Sequence, residues 1–87
     1  MAALSGEQVL AVVRSACVRV LEVDPADVVL TSCFTGDLGA DSLALVEVVE
    51  AVEQALSRLV AGIRIEDGDI DGLRTAGDLV EHLVARS

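Results

Sequence analysis

A serine stands where a glycine-containing loop meets a predicted helix, and an acidic residue precedes it directly. Gly39 lies in the loop, and Asp41 comes just before Ser42. A hydroxyl at this position is expected to be exposed, and the first-turn N–H groups and the positive end of the helix dipole favour a phosphate esterified to it. The same position also suits a serine that only caps the helix. From the residues alone, Ser42 is therefore either a modification site or a cap.

The loop before Ser42 contains residues that could hold such a site in place. Gly39 leaves the backbone open to the approach of a bulky enzyme or cofactor. Phe34 and Leu38 are predicted to anchor the loop in the top of the core, because a loop that carries a modification must still be held in register.

Acidic residues further along the chain follow the pattern of a calcium loop. They run Asp67-Gly-Asp69-Ile-Asp71-Gly72 and end on Asp78. An EF-hand needs a good helix before such a loop, and a dockerin needs two loops, and the sequence offers neither. We predict no metal site and expect these acids to cap helices and keep the surface solvated. A calcium-loop interaction module is kept as an alternative.

No residue of the chain is predicted to be catalytic. His82 is the single histidine, and its helical position lies away from the apolar face, so we expect it to be exposed. A Ser-His-Asp hydrolase built on Ser42 would need an oxyanion hole and a cleft that so small a domain does not offer. Cys17 and Cys33 lack the close spacing of zinc ligands, and we interpret them as reduced, small and buried hydrophobic residues.

Composition limits what the whole chain can do. Its 87 residues suffice for one domain, spanning residues 1–87, in which Phe34 is the single aromatic among 53% hydrophobic residues. Fifteen Asp and Glu against six Arg give a formal net charge of −9, which repels nucleic acid phosphates and anionic lipids. The sequence shows neither a secretory signal nor a long apolar run. We predict a cytoplasmic monomer that binds basic protein surfaces, with no nucleic acid and no membrane insertion.

Apolar residues recur at helical spacing in three stretches of the chain. The first helix is predicted to begin after Ser5, which has the form of a capping box with Gln8. Asp24-Pro25 then favours a break with one short turn, followed by a loop over about 28–41. The last helix is predicted to begin at Thr75, paired with Asp78. Its core face is predicted to comprise Leu79, Val80, Leu83 and Val84.

The second helix is predicted to follow Ser42, and its two faces differ. The predicted core face comprises Leu45, Val48, Val49, Val52, Leu56 and Leu59. The opposite face is acidic with two exposed apolar residues, and comprises Leu43, Val46, Glu47, Glu50, Glu53, Gln54 and Ser57. Solvation accounts for the acids but less well for the exposed apolar pair, so the residues alone leave this face as either a solvated surface or a partner-binding surface.

A short fourth element completes the prediction. Gly62 interrupts the helical pattern, and the stretch from Ile63 to Leu73 suits a loop with a short helical turn better than a strand. The predicted fold is all-α, a small four-helix bundle of three main helices and one short helix.

The segment around Ser42 resembles the phosphopantetheine attachment motif of the acyl carrier protein family. Phe34 and residues 37–43, Asp-Leu-Gly-Ala-Asp-Ser-Leu, match that motif nearly residue for residue. Residues 65–67 and 75–83 are similar to the third and fourth helices of the family. The resemblance implies that Ser42 is the modified serine and Asp41 the acid that precedes it, with Gly39 and Leu43 beside them.

The resemblance also implies a function. Family members carry acyl groups as thioesters on 4′-phosphopantetheine, which a phosphopantetheinyl transferase takes from coenzyme A. Such a carrier is not an enzyme, and it makes each reaction step effectively intramolecular. The implied pathway is fatty acid, polyketide (including antibiotic) or lipid-starter biosynthesis. Ala40-Asp41-Ser42 favours acyl carriers, so a peptidyl or aminoacyl carrier of a nonribosomal pathway is the alternative.

The implied partners are ketosynthase, acyltransferase or acyl-ligase enzymes with basic docking surfaces. The docking face predicted for them comprises Leu43, Val46, Glu47, Glu50 and Glu53. Whether the chain acts alone or within a larger synthase is left open by the sequence.

Overall fold

The first helix begins and ends as its terminal residues dictate. A computed structural model describes residues 4–59 and 63–86, and its first helix, α1, spans Gly6–Leu21. The predicted capping box is confirmed: the Ser5 hydroxyl accepts from the Gln8 N–H at 3.2 Å, and the Gln8 side chain accepts from the Ser5 N–H at 2.9 Å. Glu22 ends the helix in the left-handed region, with φ 55°.

The chain then turns and runs back along the bundle as a long loop. The predicted turn is confirmed as a 3₁₀ helix over Pro25–Asp27, capped by the Asp24 carboxylate, which accepts from the Ala26 N–H at 2.9 Å. The loop is fixed to α1 by Arg14, whose Nε and Nη2 both donate to the Val28 carbonyl, at 3.1 and 2.9 Å. The loop is therefore held by hydrogen bonds although it has little regular structure.

The second helix, α2, spans Ser42–Ser57 and supplies the middle of the core. The predicted core face is confirmed for the residues Leu45, Val48, Val49, Val52 and Leu56, all of which are buried. It is wrong for Leu59, which is 61% exposed, because the helix ends before that residue reaches the core side. The predicted break at Gly62 lies outside the described residues.

The segment 63–73 contains a short helix, α3, over Asp67–Ile70. This confirms the predicted short turn within 63–73. Ile63, Ile65 and Leu73 are buried on either side of α3, so the segment is attached to the core mainly by its flanks.

The last helix, α4, spans Ala76–Arg86 and starts at the predicted position. The Thr75 hydroxyl accepts from the Asp78 N–H at 3.1 Å, while Asp78 Oδ2 accepts from the N–H groups of Thr75 and Arg74 at 3.1 and 3.0 Å. These bonds, chiefly the one from Arg74, lower the pKa of the Asp78 carboxyl. Leu79, Val80 and Leu83 are buried as predicted, and Val84 is partly buried.

The start of α4 is also joined to the long loop. The N–H groups of Ala76 and Gly77 donate to the carbonyls of Ser32 and Leu30, at 2.9 and 2.8 Å. A β-carbon on Gly77 would lie 2.7 Å from the Leu30 carbonyl oxygen, so this close approach needs glycine. The loop is thus bonded to α1 through Arg14 and to α4 through two backbone N–H groups.

Together these elements confirm the predicted all-α bundle of three main helices and one short helix. Helix α1 packs against both α2 and α4, and α3 contacts α2. Within the ranges 4–59 and 63–86, the only β-type pairing is one isolated bridge between Cys33 and Thr75. The long loop that leads to α2 is bonded to the start of α4, and this is the end of the bundle that carries Ser42.

Candidate functional site

Ser42 is the first residue of α2, and its side chain is exposed. The residue that caps the helix is Asp41, whose Oδ1 accepts from the Ala44 N–H at 2.8 Å. The Ser42 hydroxyl makes no hydrogen bond to any residue that the structure describes. The interpretation of Ser42 as a mere cap is therefore wrong, and its hydroxyl is free to be esterified.

The loop in front of Ser42 is anchored in the way the sequence predicts. Phe34 is 1% exposed and Leu38 5% exposed, so both side chains are buried in the core. The Ala40 N–H donates to the Phe34 carbonyl at 2.8 Å, which closes the loop just before α2 begins. The exposed Ser42 side chain is thus attached to a backbone that is fixed by burial and hydrogen bonding.

Gly39 has a conformational reason to be glycine. Its φ is +71°, in the left-handed region that side chains disfavour. A β-carbon there would meet nothing within 4 Å, so the space around the residue is open. The open space agrees with the expectation that a bulky group can approach this backbone.

A cavity of about 610 Å³ opens beside Ser42. It lies between the start of α2, the long loop and the turn after α3. Its apolar wall is formed by Leu45, Val46, Ile70 and Leu73, and its polar lining by Cys33, Thr35, Asp41, Ser42, Asp71 and Arg74. An elongated ligand attached to Ser42 would therefore have an aliphatic surface next to its attachment point.

Sequence reasoning did not connect Arg74 or Cys33 with Ser42. Cys33 belongs to the loop that leads to Ser42, whereas Arg74 lies far from both in the chain. The Cys33–Thr75 bridge and the Phe34 N–H, which donates to the Arg74 carbonyl at 2.9 Å, bring Arg74 to that loop. No local motif signals these contacts, because they depend on how the loop crosses the start of α4.

The predicted acidic face of α2 is only partly exposed. Leu43 is 69% exposed, and Glu47 and Glu50 are exposed as predicted. Val46 is half-buried in the cavity wall, which corrects the prediction that it is exposed. Glu53 is half-buried as well, because its Oε2 accepts from the Ile65 N–H at 2.7 Å. The exposure predicted for Glu53 is therefore wrong, and its carboxylate fastens the segment before α3 to α2.

The two cysteines differ, although the sequence suggested the same role for both. Neither forms a disulfide. Cys17 is buried as predicted, and burial raises the pKa of its thiol to about 11. Cys33 is only half-buried and lines the cavity, so the prediction of a buried hydrophobic residue is wrong for it. The pKa of the Cys33 thiol is lowered, chiefly by the backbone N–H of Gly36 and next by the Thr35 hydroxyl.

We expect iodoacetamide to alkylate Cys33 in the folded apo protein while Cys17 stays largely unmodified. The thiolate is the reactive form, and its population at a given pH rises as the thiol pKa falls. Since the pKa of the Cys33 thiol is lowered and that of the Cys17 thiol is raised to about 11, the thiolate population at a given pH is larger at Cys33 than at Cys17. Mass mapping over a pH series measures both rates, and in denaturant both cysteines should react alike. Equal alkylation rates for Cys33 and Cys17 in the folded protein would contradict this difference in burial and thiol pKa.

His82 lies in a small polar cluster between α4 and α3, where its side chain is 20% exposed. The prediction that it is exposed is wrong, since its Nε2 accepts from Arg86 Nε at 2.8 Å and lies 3.6 Å from Asp69 Oδ2. Arg86 Nη2 also donates to Asp69 Oδ2, at 3.1 Å. His82 is not among the residues that line the cavity beside Ser42, so the structure does not assemble a Ser-His-Asp triad from them.

Two acids of the calcium-like pattern make structural contacts. Asp69 is paired with Arg86, and Asp78 caps α4 as expected. The side chain of Asp67 is not among those that the structure describes. Among the described residues, no group of three or more His, Cys, Asp or Glu is placed to bind a metal ion. Nor is any helix in that part of the chain long and apolar enough to cross a membrane.

Comparison with known proteins gives a consistent result. Residues 11–83 match the family model described as a phosphopantetheine attachment site. The chain is 37% identical over 81 residues to an acyl carrier protein of Acidothermus cellulolyticus, covering 93% of this chain and 90% of that protein. It is 40% identical over 63 residues to an acyl carrier protein of Clostridium perfringens, covering 72% and 76%. The match to the family model spans the long loop, Ser42, α2 and α3, and most of α1 and α4.

Proposed function

Because the chain belongs to the acyl carrier protein family, we propose that Ser42 is the residue that bears its 4′-phosphopantetheine arm. The protein is a non-catalytic carrier, and the arm supplies a terminal thiol that holds acyl groups as thioesters. The observation that supports the assignment is the free, exposed Ser42 hydroxyl at the start of α2, beside a cavity with an aliphatic wall.

The surroundings of Ser42 suit a phosphate ester. The first N–H groups of a long helix and its positive dipole end favour a negative group there. Asp41 sets where the helix begins by accepting from the Ala44 N–H at 2.8 Å. Gly39 leaves the approach to the backbone open, and Leu43 offers an exposed apolar contact next to the serine. In the proposal these three residues complete the attachment site.

The direct test is to map the modification. Apo protein incubated with coenzyme A and a broad-specificity phosphopantetheinyl transferase should gain one phosphopantetheine, located on the peptide that contains Ser42. A group found on another serine would reject the assignment. The alternatives are Ser5, Ser15, Ser32, Ser57 and Ser87.

Acyl carriers interact with the transferase and with the enzymes of their biosynthetic pathway. We propose that this chain meets them through the α2 stripe, defined as Leu43, Val46, Glu47 and Glu50. The stripe starts beside Ser42, and its two carboxylates are exposed and face away from the core. Partner enzymes of the ketosynthase, acyltransferase or acyl-ligase type would present basic surfaces to it. Glu53 is left out because its carboxylate is already bonded to the Ile65 N–H.

Reversing the charge of the stripe should slow modification of Ser42. Exposed charges act mainly on association rate, and each contributes about 0.2–1 kcal/mol, so a single Glu→Gln change is expected to be nearly silent. The double variant Glu47→Arg/Glu50→Arg turns attraction into repulsion, and we expect a rate roughly tenfold lower at low salt. The measurement is the initial rate of transferase modification, with helicity checked by circular dichroism.

The matched control reverses two exposed acids away from the stripe, Glu66→Arg/Glu81→Arg. It changes net charge by the same amount, so it separates a defined docking face from overall charge. High salt should narrow the deficit of the stripe variant, since screening weakens both attraction and repulsion. If both double variants were slowed equally, the stripe would be only a solvated surface.

The wider setting of the protein is part of the proposal. We assign it to fatty acid, polyketide or lipid-starter biosynthesis in the cytoplasm, acting as a single domain and a monomer. That the described residues form one domain is supported by the packing of α1 against both α2 and α4. The two unpaired cysteines suit a reducing compartment. Identification of the acyl group on protein purified from its native source tests the pathway.

A further inference from the structure

Arg74 is the single basic residue that lines the cavity beside Ser42. It lies in the turn between α3 and α4, and its backbone is bonded on both sides. Its N–H donates to Asp78 Oδ2 at 3.0 Å, and its carbonyl accepts from the Phe34 N–H at 2.9 Å. Because Phe34 anchors the loop that leads to Ser42, these bonds tie Arg74 to the same end of the bundle as the serine.

The side chain of Arg74 is available to a ligand. It is exposed, and it makes no hydrogen bond or ion pair to any residue within 4–59 and 63–86, although its charge helps to lower the pKa of the nearby Asp78 carboxyl. Two other arginines make contacts within the protein: Arg14 donates to the Val28 carbonyl, and Arg86 forms an ion pair with Asp69. A guanidinium without such a partner can receive an incoming anion, and its planar donors fit the oxygens of a phosphate.

The acidic residues around the cavity would repel a phosphate on Ser42. Asp41 and Asp71 also line the cavity, and both are exposed acids. A phosphodiester on Ser42 would add a further negative charge near them, in a chain whose formal net charge is already −9. Like charges at short range repel each other, and Arg74 is the residue of the cavity lining that can offset this repulsion.

We infer that the Arg74 guanidinium binds the phosphodiester of the arm on Ser42 and so positions the arm at the cavity. The inference rests on the proposed function, since it requires the arm at Ser42. Arg74 is a positioning residue in this role, and it takes no part in making or breaking the thioester. An ion pair at an exposed site is weak, so a partner enzyme can break it whenever it takes up the arm.

The test compares holo proteins that have each been shown by mass to bear one arm. The set is wild type, Arg74→Ala, Arg74→Glu, Arg74→Lys and the control Arg19→Ala, which removes an exposed arginine of α1 that does not line this cavity. The readouts are the ³¹P resonance of the phosphodiester and the difference between holo and apo amide shifts at Leu45, Val46 and Ile70. Neither readout depends on the activity of a partner enzyme.

In Arg74→Ala, we expect the equilibrium constant between the arm bound at the cavity and the arm free in solvent to fall about 1.4- to 5-fold, the loss expected for an exposed ion pair. The holo-minus-apo differences in amide shift should therefore be smaller in Arg74→Ala than in wild type, and smaller still in Arg74→Glu. They should recover in part in Arg74→Lys and stay at the wild-type value in Arg19→Ala. Added salt should reduce the differences in wild type, but it should not reduce those of Arg74→Ala, where only the repulsion from Asp41 and Asp71 is left to be screened.

Two kinds of failure can be told apart. If mass mapping places no arm on Ser42, the proposed function fails. If the arm is present but the holo-minus-apo differences of Arg74→Ala and Arg74→Glu overlay those of wild type at low salt, the arm is there and Arg74 does not bind it. The apo spectrum of each variant shows whether it is folded, and if Arg74→Glu is not, Arg74→Ala and Arg74→Lys decide the question.

Discussion

Replacing Ser42 by alanine is expected to abolish loading of the phosphopantetheine arm, and with it all thioester formation, without unfolding the protein. The hydroxyl is the group to be esterified, and no second serine lies in the attachment motif. Stability should change by less than about 0.5 kcal/mol, because the side chain is exposed and Asp41 performs the capping. Intact mass after incubation with transferase and coenzyme A measures loading, and a denaturant titration measures stability.

Ser57→Ala is the matched control for that variant. Ser57 lies at the other end of α2, is also exposed and bonds only within its own helix, where its hydroxyl donates to the Gln54 carbonyl at 2.8 Å. It should load as fast as wild type. Loading of Ser42→Ala at an appreciable rate would show that another residue bears the arm, and the assignment of Ser42 would have to be withdrawn.

Phe34→Ala is expected to lower the free energy of unfolding by about 3–5 kcal/mol, the cost of removing a fully buried phenyl group from a core. Phe34 is 1% exposed and is among the largest fully buried side chains. It also lies where the long loop is bonded to the start of α4. Since small domains have only about 5–15 kcal/mol of stability in total, the loss takes a large part of it. Urea denaturation followed by circular dichroism gives the value.

The control for this variant is Leu43→Ala, which removes an apolar side chain that is 69% exposed. It should change stability by no more than about 0.5 kcal/mol. A loss below about 1 kcal/mol for Phe34→Ala would mean that the ring does not anchor the loop. In that case the fixed position of Ser42 would have to be explained by the backbone hydrogen bonds alone.

The helices could be predicted from the sequence because their signals are local. The capping boxes at Ser5 and Thr75 involve residues three apart, and the same short range holds for the turn at Asp24. The apolar period of α2 likewise depends only on spacing along one helix. For the same reason, the exposed position of Ser42 at a helix start followed from the residues around it.

Contacts between distant segments could not be predicted in this way. A helical period tells which side of α2 a residue occupies, but not which other segment covers that side. Glu53 was expected in solvent, yet the Ile65 N–H is bonded to it. His82 was expected to be exposed, yet the Asp69 carboxylate of α3 lies 3.6 Å from its Nε2. Cys33 and Arg74 join Ser42 at one cavity only because the loop crosses the start of α4.

The burial of Phe34 makes this end of the bundle easy to observe by spectroscopy. The chain has no Tyr and no Trp, so Phe34 provides its only phenyl ring, and the ring is held in the core beneath the loop that leads to Ser42. Methyl protons that pack over such a ring are shifted upfield by its ring current. The most upfield methyl resonances of the protein should therefore report on this one place. In a mixture with an enzyme, all tryptophan fluorescence would come from the enzyme, so each partner could be followed without labelling either.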